Sequence, residues 1–325
     1  MAFRSFRARL HALAVVGLLA LAAGMLIFLA PPAVGAAPSC AVSNSRTHKG
    51  FGSVQAAVDA AKAGDTLEVK GICVGNTVVD RNVTLKGVTN RAFPGTPTLD
   101  GGGTGTVLHI TNGTTTIDRL TITHGVASTE SVEGNPCCVG GGIAISGATA
   151  GAHLVNSLVT GNSAGVFGGG IDVDDGTLTL ENSTVSGNTS SSSGGIDSDF
   201  GTITLIGSAV TGNVATGGGT CTNDNLSCAG GIWNFGGTLT LIDSTVSGNS
   251  AYDRGGGIVN QVDGALLTLS GTSTISSNTA GEFGGGIWIR SGTVSATADW
   301  TGSVSGNTPD QCVPTVTIGS TTCGA

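Results

Sequence analysis

Two pairs of aspartates share one pattern, in which each Asp-x-Asp pair follows a Gly-Gly-Ile sequence. Asp172 and Asp174 form the first pair, and Asp197 and Asp199 form the second pair 25 residues later. Alternate residues of a β-strand point to the same side, so the pattern predicts four carboxyl groups on one face of two neighbouring strands. Such a group can hold Ca²⁺ through carboxylate oxygens, supply the two carboxyls of a glycoside hydrolase, or form a solvated acidic surface. The sequence leaves these three interpretations open.

Aromatic and basic residues take the place of the aspartates in later copies of the same segment. Trp233 and Phe235 follow the next Gly-Gly-Ile sequence, and Trp288 and Arg290 follow a later one. Two tryptophans separated by two coils would stand about 10 Å apart, a spacing suited to stacking against successive sugar rings. We therefore predict that these four residues bind a ligand.

The Gly-Gly-Ile segments belong to a repeat of roughly 25 to 29 residues that runs from about Gly140 onward. Most repeats continue with an alternating segment such as Gly-Thr-Leu-Thr-Leu, which turns leucine inward and threonine outward, and close with a Gly-Asn or Ser-Asn turn. Stacked asparagines at such a turn can hydrogen-bond between coils. These asparagines are Asn162, Asn188, Asn213, Asn249, Asn278 and Asn307. Three short strands and three turns in each repeat predict a parallel β-helix, and the 56 glycines argue against a helical alternative.

The two ends of the solenoid have their own predicted structures. Residues 53–63 carry apolar side chains at helical spacing, which predicts a short amphipathic helix over the open edge of the first coil. The segment after Pro309 contains two cysteines and is expected to close the other end. The predicted organisation is a signal peptide in residues 1–36, an N-terminal cap with entry coils in 37–139, regular repeats in 140–308 and a disulfide-closed cap in 309–325.

The chain resembles the right-handed parallel β-helix repeat proteins of the pectate-lyase-like superfamily. Its Gly-Gly-Gly-Ile and Gly-Asn corners look like the repeats of polymorphic outer-membrane proteins, and the stretches 54–67 and 83–87 are similar to the entry coil of many such proteins. The resemblance implies an all-β, right-handed parallel β-helix. It implies no single activity, because this superfamily contains lyases, hydrolases and adhesins. The ordered motif set of the polygalacturonase-type hydrolases is not present, since Asp174-Asp175 and Thr123-His124-Gly125 are isolated fragments of it.

The N-terminus and the cysteines indicate the cellular compartment in which the protein is found. Residues 1–36 begin with arginines, continue through an apolar run and end in small residues, as a secretion signal does. The apolar run is long enough that an uncleaved membrane anchor is the alternative. The eight cysteines fit an exported, oxidising setting; two local pairs are expected, and the other four cysteines allow three connectivities. The local pairs are Cys221–Cys228 and Cys312–Cys323, and the other four are Cys40, Cys73, Cys137 and Cys138.

The net charge of −8 argues against binding to nucleic acid. Two long turns, 124–140 and 214–229, flank the aspartate repeats, and loops on one face of a solenoid commonly carry the binding function. We therefore expect a secreted or cell-surface, adhesin-like protein without catalytic activity that binds extracellular polysaccharide or a surface protein. The alternatives are a polysaccharide lyase or glycoside hydrolase that uses the four aspartates, and a structural envelope protein. Ca²⁺ is the only cofactor expected, and membrane contact is expected only through an uncleaved signal anchor.

Overall fold

A computed structural model describes residues 39–127, 139–217 and 228–324 of the chain. The predicted signal peptide lies outside the described residues, as do Cys137, Cys138 and Cys221. The described strands stack in long, mainly parallel sheets, which confirms the predicted parallel β-helix. None of the helices in these ranges is long and apolar enough to cross a membrane.

The six strands that begin at Gly-Gly-Ile sequences belong to one parallel sheet of nine strands, called here the first sheet. In spatial order its strands are Thr77–Val79, Leu108–Ile110, Ile143–Ser146, Ile171–Asp174, Ile196–Asp199, Ile232–Phe235, Ile258–Gln261, Ile287–Ile289 and Cys312–Val313. Equivalent positions pair directly, so that Ile196 lies between Ile171 and Ile232. Side chains at one position of the repeat therefore form columns with a spacing of about 4.8 Å.

A sheet of 19 strands forms two further faces, which are joined through the long strand Asp65–Val74. The other strands of the second face are Cys40–Asn44, Gly50–Phe51, Val83–Gly87, Gly113–Asp118, Ala150–Val155, Thr177–Glu181, Thr202–Ile206, Thr238–Ile242, Leu266–Ser270 and Thr293–Ala296. The other strands of the third face are Thr98–Asp100, Thr121–Thr123, Leu158–Thr160, Thr184–Ser186, Ala209–Thr211, Thr245–Ser247, Thr274–Ser276 and Ser303–Ser305. Two-residue strands at Val126–Ala127, Ser163–Ala164, Thr189–Ser190, Val214–Ala215, Ser250–Ala251 and Thr279–Ala280 form a fourth, small sheet.

The alternating threonine and leucine segments behave as predicted. Leu180 and its neighbours Leu205 and Leu241 in the next two coils are fully buried and pair in register. Thr177 on the same strand is exposed and Thr179 is half-buried. Because burying a leucine side chain is worth about 1.5–3 kcal/mol, these columns supply much of the stability that holds the coils in register.

The recurring asparagines form a hydrogen-bonded ladder, which confirms the predicted contact between coils. The Nδ2 of Asn188 donates to the Oδ1 of Asn213 at 3.0 Å, and the Nδ2 of Asn213 donates to the Oδ1 of Asn249 at 3.0 Å. The same Oδ1 atoms also accept from the backbone N–H of the preceding asparagine. The ladder runs from Asn162 to Asn307 and ends on the Oε1 of Gln311. These side chains are buried inside the coil, so they tie the repeats together from within.

The helix at the N-terminal end spans Val54–Ala60, which is shorter than the predicted 53–63. It begins after Ser53, whose Oγ accepts from the N–H of Ala56 at 3.2 Å, as an N-cap residue does. It ends because Ala61 has an extended conformation, with φ −75° and ψ 149°. Its apolar side chains Val54, Ala57 and Val58 are buried, as the predicted cap over the first coil requires.

Disulfides close both ends of the described chain. The predicted pair Cys312–Cys323 is confirmed, and it spans the hairpin of strands Val316–Ile318 and Thr321–Cys323. Cys40 pairs with Cys73, a pairing that the sequence allows but does not single out. Cys228 is also disulfide-bonded, while its predicted partner lies outside the described residues. Disulfides of this kind are typical of extracytoplasmic proteins.

Candidate functional site

An acidic cavity of about 340 Å³ lies on the outer face of the first sheet. The residues that line it are Val139, Ser146, Phe167, Asp172, Asp174, Asp197, Asp199, Trp233 and Phe235. All four predicted aspartates and two of the four predicted ligand-binding residues therefore share one cavity. We refer to it below as the acidic cavity.

Strand alternation aims the carboxyl groups at this cavity. Ile171 and Val173 are fully buried in the core, so Asp172 and Asp174 between and after them point away from it. The turn before Asp197 requires glycine, because a Cβ on Gly195 would collide with the carbonyl oxygen of the next coil. Strand alternation thus fixes the direction of the aspartate side chains, and the glycine turn fixes where the strand begins.

The strand register brings the two inner aspartates side by side. Asp172 pairs with Asp197, and Asp197 in turn pairs with Trp233. The regular pairing of the two aspartate strands stops before Asp174, which instead forms an isolated antiparallel bridge with Phe200. Of the four predicted aspartates, only Asp172 and Asp197 therefore lie at directly paired positions of the two strands.

The four carboxyls differ in burial. Asp172 and Asp197 are each 6% exposed, whereas Asp174 and Asp199 are exposed. The column of Asp172 and Asp197 faces away from the core but is largely shielded from solvent. A purely solvated acidic surface, one of the three interpretations of the sequence, therefore does not describe the inner pair.

Burial and mutual repulsion favour the neutral form of the inner carboxyls. Burial, followed by repulsion from the other three aspartates of the cavity, raises the pKa of Asp172 well above its usual range. Burial also raises the pKa of Asp197 to about 7, against the opposing effect of a 2.6 Å hydrogen bond from the Oγ of Ser193. The pKa of Asp199 is raised by burial and by the charges of Asp174 and Asp175. With its pKa near 7, Asp197 changes its charge in response to small changes in its surroundings, and its neighbour Asp172 favours the neutral form.

Two polar groups of the cavity lining have no hydrogen-bond partner among the described residues. One is the carboxyl of Asp172, a residue that is 6% exposed but whose carboxyl oxygens are not fully enclosed. The other is the indole Nε1–H of Trp233, which is fully buried. A buried donor or acceptor without a partner costs about 1–3 kcal/mol, so such groups commonly mark a site that a ligand or water completes.

Aromatic rings form one wall of the cavity. The ring centroids of Phe167 and Trp233 are 5.6 Å apart, and those of Trp233 and Phe235 are 6.4 Å apart. The exposed ring of Phe200 extends this wall, with its centroid 5.7 Å from that of Phe235 in an edge-on contact. Sequence analysis missed Phe167 and Phe200 because they lie in the turns before and after the aspartate strands and outside the repeated columns.

Trp288 and Arg290 do not line the acidic cavity. Trp288 is 9% exposed, and the guanidinium of Arg254 lies 5.4 Å from the centroid of its ring. The residue stands at the same repeat position as Trp233 but two coils away, with Val259 between them. Its predicted role in stacking sugar rings, and that of Arg290 in binding, stay predictions.

His124 has a partner that the sequence did not indicate. Its Nδ1 lies 2.9 Å from the Oδ2 of Asp100, on a separate, open cavity of about 480 Å³. Burial opposes ionisation of Asp100, but hydrogen bonds from His124 and from the N–H of Gly102 lower its pKa overall. The two residues are 24 positions apart in the irregular entry coils, where no repeat pattern signals the contact.

The described residues contain no group of three or more His, Cys, Asp or Glu arranged to hold a metal ion. The long turns predicted to wall the cavity fall mainly on residues 128–138 and 218–227, which lie outside the described ranges. No protein-family model and no curated protein matches the chain.

Proposed function

We propose that the protein binds a sugar unit of an extracellular polysaccharide in the acidic cavity. The observation that carries the proposal is that aromatic rings and paired carboxyls line one cavity of about 340 Å³. Ligand cavities typically measure about 300–1,000 Å³ and combine apolar walls with a few placed polar groups. A sugar ring presents apolar C–H faces to the rings of Phe167 and Phe235 and hydroxyl groups to the carboxyls.

The β-helix supplies a rigid support for such a site. The carboxyls stand on strands whose neighbours are fixed by the leucine columns and by the asparagine ladder. Because little conformational entropy is lost on binding to a preorganised surface, modest contacts suffice for useful affinity. Long polysaccharides can also contact several coils of one solenoid at once.

Secretion or display at the cell surface is part of the proposal. The disulfides support an oxidising compartment. The resemblance of the repeats to the pectate-lyase-like superfamily and to polymorphic outer-membrane proteins is in keeping with an extracellular, adhesin-like role. A surface protein as partner and a structural envelope role are the alternatives that a negative sugar-binding result would favour.

The test measures depletion of the purified protein from solution by a panel of insoluble polysaccharides. Phe235→Ala and the double variant Asp172→Asn/Asp197→Asn are compared with the wild type. Matched controls are Phe283→Ala and Asp263→Asn, which remove an exposed ring and an exposed carboxyl outside the cavity. Depletion that both cavity variants reduce and both controls retain supports the proposal. Absence of depletion by every polysaccharide would reject it.

Hydrolysis of the bound glycan is the second candidate function. It is favoured by the pairing of Asp172 with Asp197, whose pKa is raised to about 7. A carboxyl that keeps its proton near neutral pH can act as general acid, while a second carboxyl of the cavity serves as the base that activates water. Release of soluble reducing ends by the wild type, lost in Asp197→Asn with binding retained, supports it. Glycan binding without release of reducing ends at any pH would reject hydrolysis and retain the non-catalytic binding function.

Calcium is the inorganic occupant to test in the same cavity. Hard carboxylate oxygens are its preferred ligands, although the described residues show no preformed metal geometry. If calcium completes the site, EDTA lowers the melting temperature of the wild type but not that of Asp172→Asn/Asp197→Asn. A melting temperature that EDTA leaves unchanged removes calcium from the proposal.

A further inference from the structure

We propose that the acidic cavity selects an amino sugar with a free, protonated amine, so that the glycan it binds is cationic. This inference rests on the proposed binding of polysaccharide and names the class of sugar. It is carried by the juxtaposition of unpaired carboxyls, aromatic rings and an unpartnered indole N–H in one cavity.

Among the described residues, nothing balances the charge of the cavity. Four aspartates line it, and the described part of its lining contains no lysine, arginine or histidine. Within the described residues, none of the four carboxyls forms an ion pair. Carboxylates placed close together repel each other, and a cation between them relieves that repulsion. A ligand that carries positive charge therefore gains more from this cavity than a neutral one of the same shape.

The size and walls of the cavity favour an organic cation over a bare metal ion. A volume of about 340 Å³ accommodates a ring-sized group. Phe167, Trp233 and Phe235 form a continuous aromatic wall, with centroids 5.6 and 6.4 Å apart along it. Aromatic faces attract ammonium groups within about 6 Å, and they also accept the C–H face of a sugar ring. Hard metal ions use only oxygen ligands and gain nothing from such a wall.

The indole of Trp233 adds a requirement for an oxygen atom. Its Nε1–H is buried and has no acceptor among the described residues, although the side chain lines the cavity. A simple alkylammonium ion offers no acceptor, whereas a sugar hydroxyl does. Amine, hydroxyl and apolar ring face together describe a hexosamine whose amine is not acetylated.

Asp172 is the expected first contact of the amine. The residue is 6% exposed and its carboxyl lacks a hydrogen-bond partner in the described part of the chain, while Asp197 already accepts from Ser193. An ammonium group donates up to three hydrogen bonds and can bridge both carboxyls across adjacent strands. Charge-assisted hydrogen bonds of this type are about twice as strong as neutral ones, which gives the cavity its preference.

Titration calorimetry with three soluble oligosaccharides of equal length and linkage tests the inference. They are oligomers of glucosamine, of N-acetylglucosamine and of glucose. The glucosamine oligomer is expected to bind at least ~10-fold more tightly than the other two. If only the acetylated or the neutral oligomer binds, the amino-sugar inference is wrong and glycan binding stands. If none binds, this inference fails together with the proposed function for this set of sugars.

General attraction between an acidic protein and a polycation is the competing explanation. The double variant Asp172→Asn/Asp197→Asn separates the two, because it changes the formal net charge of the whole chain only from −8 to −6. A specific site loses its preference for glucosamine in this variant, and Asp263→Asn keeps it. If the double variant retains the preference while its circular dichroism and melting remain native, the inference is overturned. Calcium alone is titrated in parallel, and calcium binding that blocks the oligomer would reassign the cavity to a metal.

Discussion

Asp172 and Asp197 face each other on adjacent parallel strands, and each side chain is 6% exposed. Two carboxyls in this arrangement cannot both ionise cheaply, because burial reduces their solvation and no basic residue of the described cavity lining compensates their charge. The relationship makes the cavity sensitive to pH and to cations. It also separates the inner pair from Asp174 and Asp199, which are exposed.

The first prediction concerns stability and pH. Because the pKa of Asp197 is about 7 in the folded protein and about 3.9 in an unfolded chain, folding holds a proton that the unfolded chain releases. The stabilising contribution is therefore fully present below about pH 4 and is lost as the pH rises through about 7. The loss corresponds to about 4 kcal/mol for this carboxyl. Urea unfolding from pH 4 to 8 measures it as the difference between the wild type and Asp197→Asn.

The difference between the two proteins is the quantity to use, because other carboxyls act in the opposite direction. Hydrogen bonds from Arg46, from the N–H of Lys62 and from Asn44 hold the pKa of Asp65 well below its usual range, so this residue adds stability above about pH 4. It contributes equally to both proteins and cancels. A wild-type stability that does not fall relative to Asp197→Asn across this range would contradict the buried carboxyl pair.

The second prediction concerns Ser193. Its Oγ donates to Asp197 at 2.6 Å and accepts from the N–H of Gly168 at 2.9 Å. Ser193→Ala removes a hydrogen bond to the charged carboxylate, so the pKa of Asp197 should rise further. Carboxyl carbon NMR then shows an Asp197 titration shifted to higher pH. The lost hydrogen bond to Gly168 lowers stability at every pH, whereas the NMR titration reports the pKa of Asp197 separately. An Asp197 pKa that is unchanged or lowered in Ser193→Ala would reject the role of Ser193.

The third prediction concerns the asparagine ladder. Asn213→Ala removes the acceptor for both the N–H and the Nδ2 of Asn188 and the donor to Asn249, all at 3.0 Å inside the coil. We expect a loss of about 3 kcal/mol or more in the free energy of unfolding, since several buried groups lose their partners. Thr202→Ala, an exposed change in the same coil, is the control and should alter stability by less than about 0.5 kcal/mol. Equal effects of the two substitutions would mean that the ladder adds little.

The fourth prediction compares the two disulfides. Cys40–Cys73 closes a loop of 33 residues and Cys312–Cys323 a loop of 11. Because the entropy cost of loop closure grows with loop length, replacing the first pair by alanine should cost about 1 kcal/mol more than replacing the second. Chemical unfolding of the two double variants provides the comparison. A larger loss for the short loop would indicate that the C-terminal hairpin is the more critical cap.

The fold could be predicted largely from the sequence because its signals repeat. Each Gly-Gly-Ile corner and each alternating threonine and leucine segment occurs several times, so one register explains all of them. The sequence predicts too long a helix because apolar spacing continues to Ala61, whereas the backbone becomes extended there. It does not indicate the pairing of Cys40 with Cys73, because a contact between the N-terminal strand and the first coil has no local signal.

The site could be predicted only in part. The repeat positions predict that Asp172 lies beside Asp197 and that Asp197 lies beside Trp233. The strand register confirms both pairs. Burial of the inner pair was not predictable, because it depends on what packs over the sheet and not on the strand pattern. Phe167, which lies in a turn, contacts Trp233 two coils away. Such a contact follows from three-dimensional packing alone and has no sequence pattern.

Ligand binding in the acidic cavity is tested by following the indole N–H signals of the protein during a titration with glucosamine oligomer. Trp233 and Trp300 provide a matched pair, because the Nε1–H of Trp233 has no acceptor in the described part whereas that of Trp300 donates to the carbonyl of Ser273 at 2.9 Å. Nitrogen-15 NMR, with signals assigned by single Trp→Phe substitutions, is expected to show the Trp233 signal shifting on binding while the Trp300 signal stays in place. A saturating titration that leaves the Trp233 signal unmoved would contradict the acidic cavity as the ligand site.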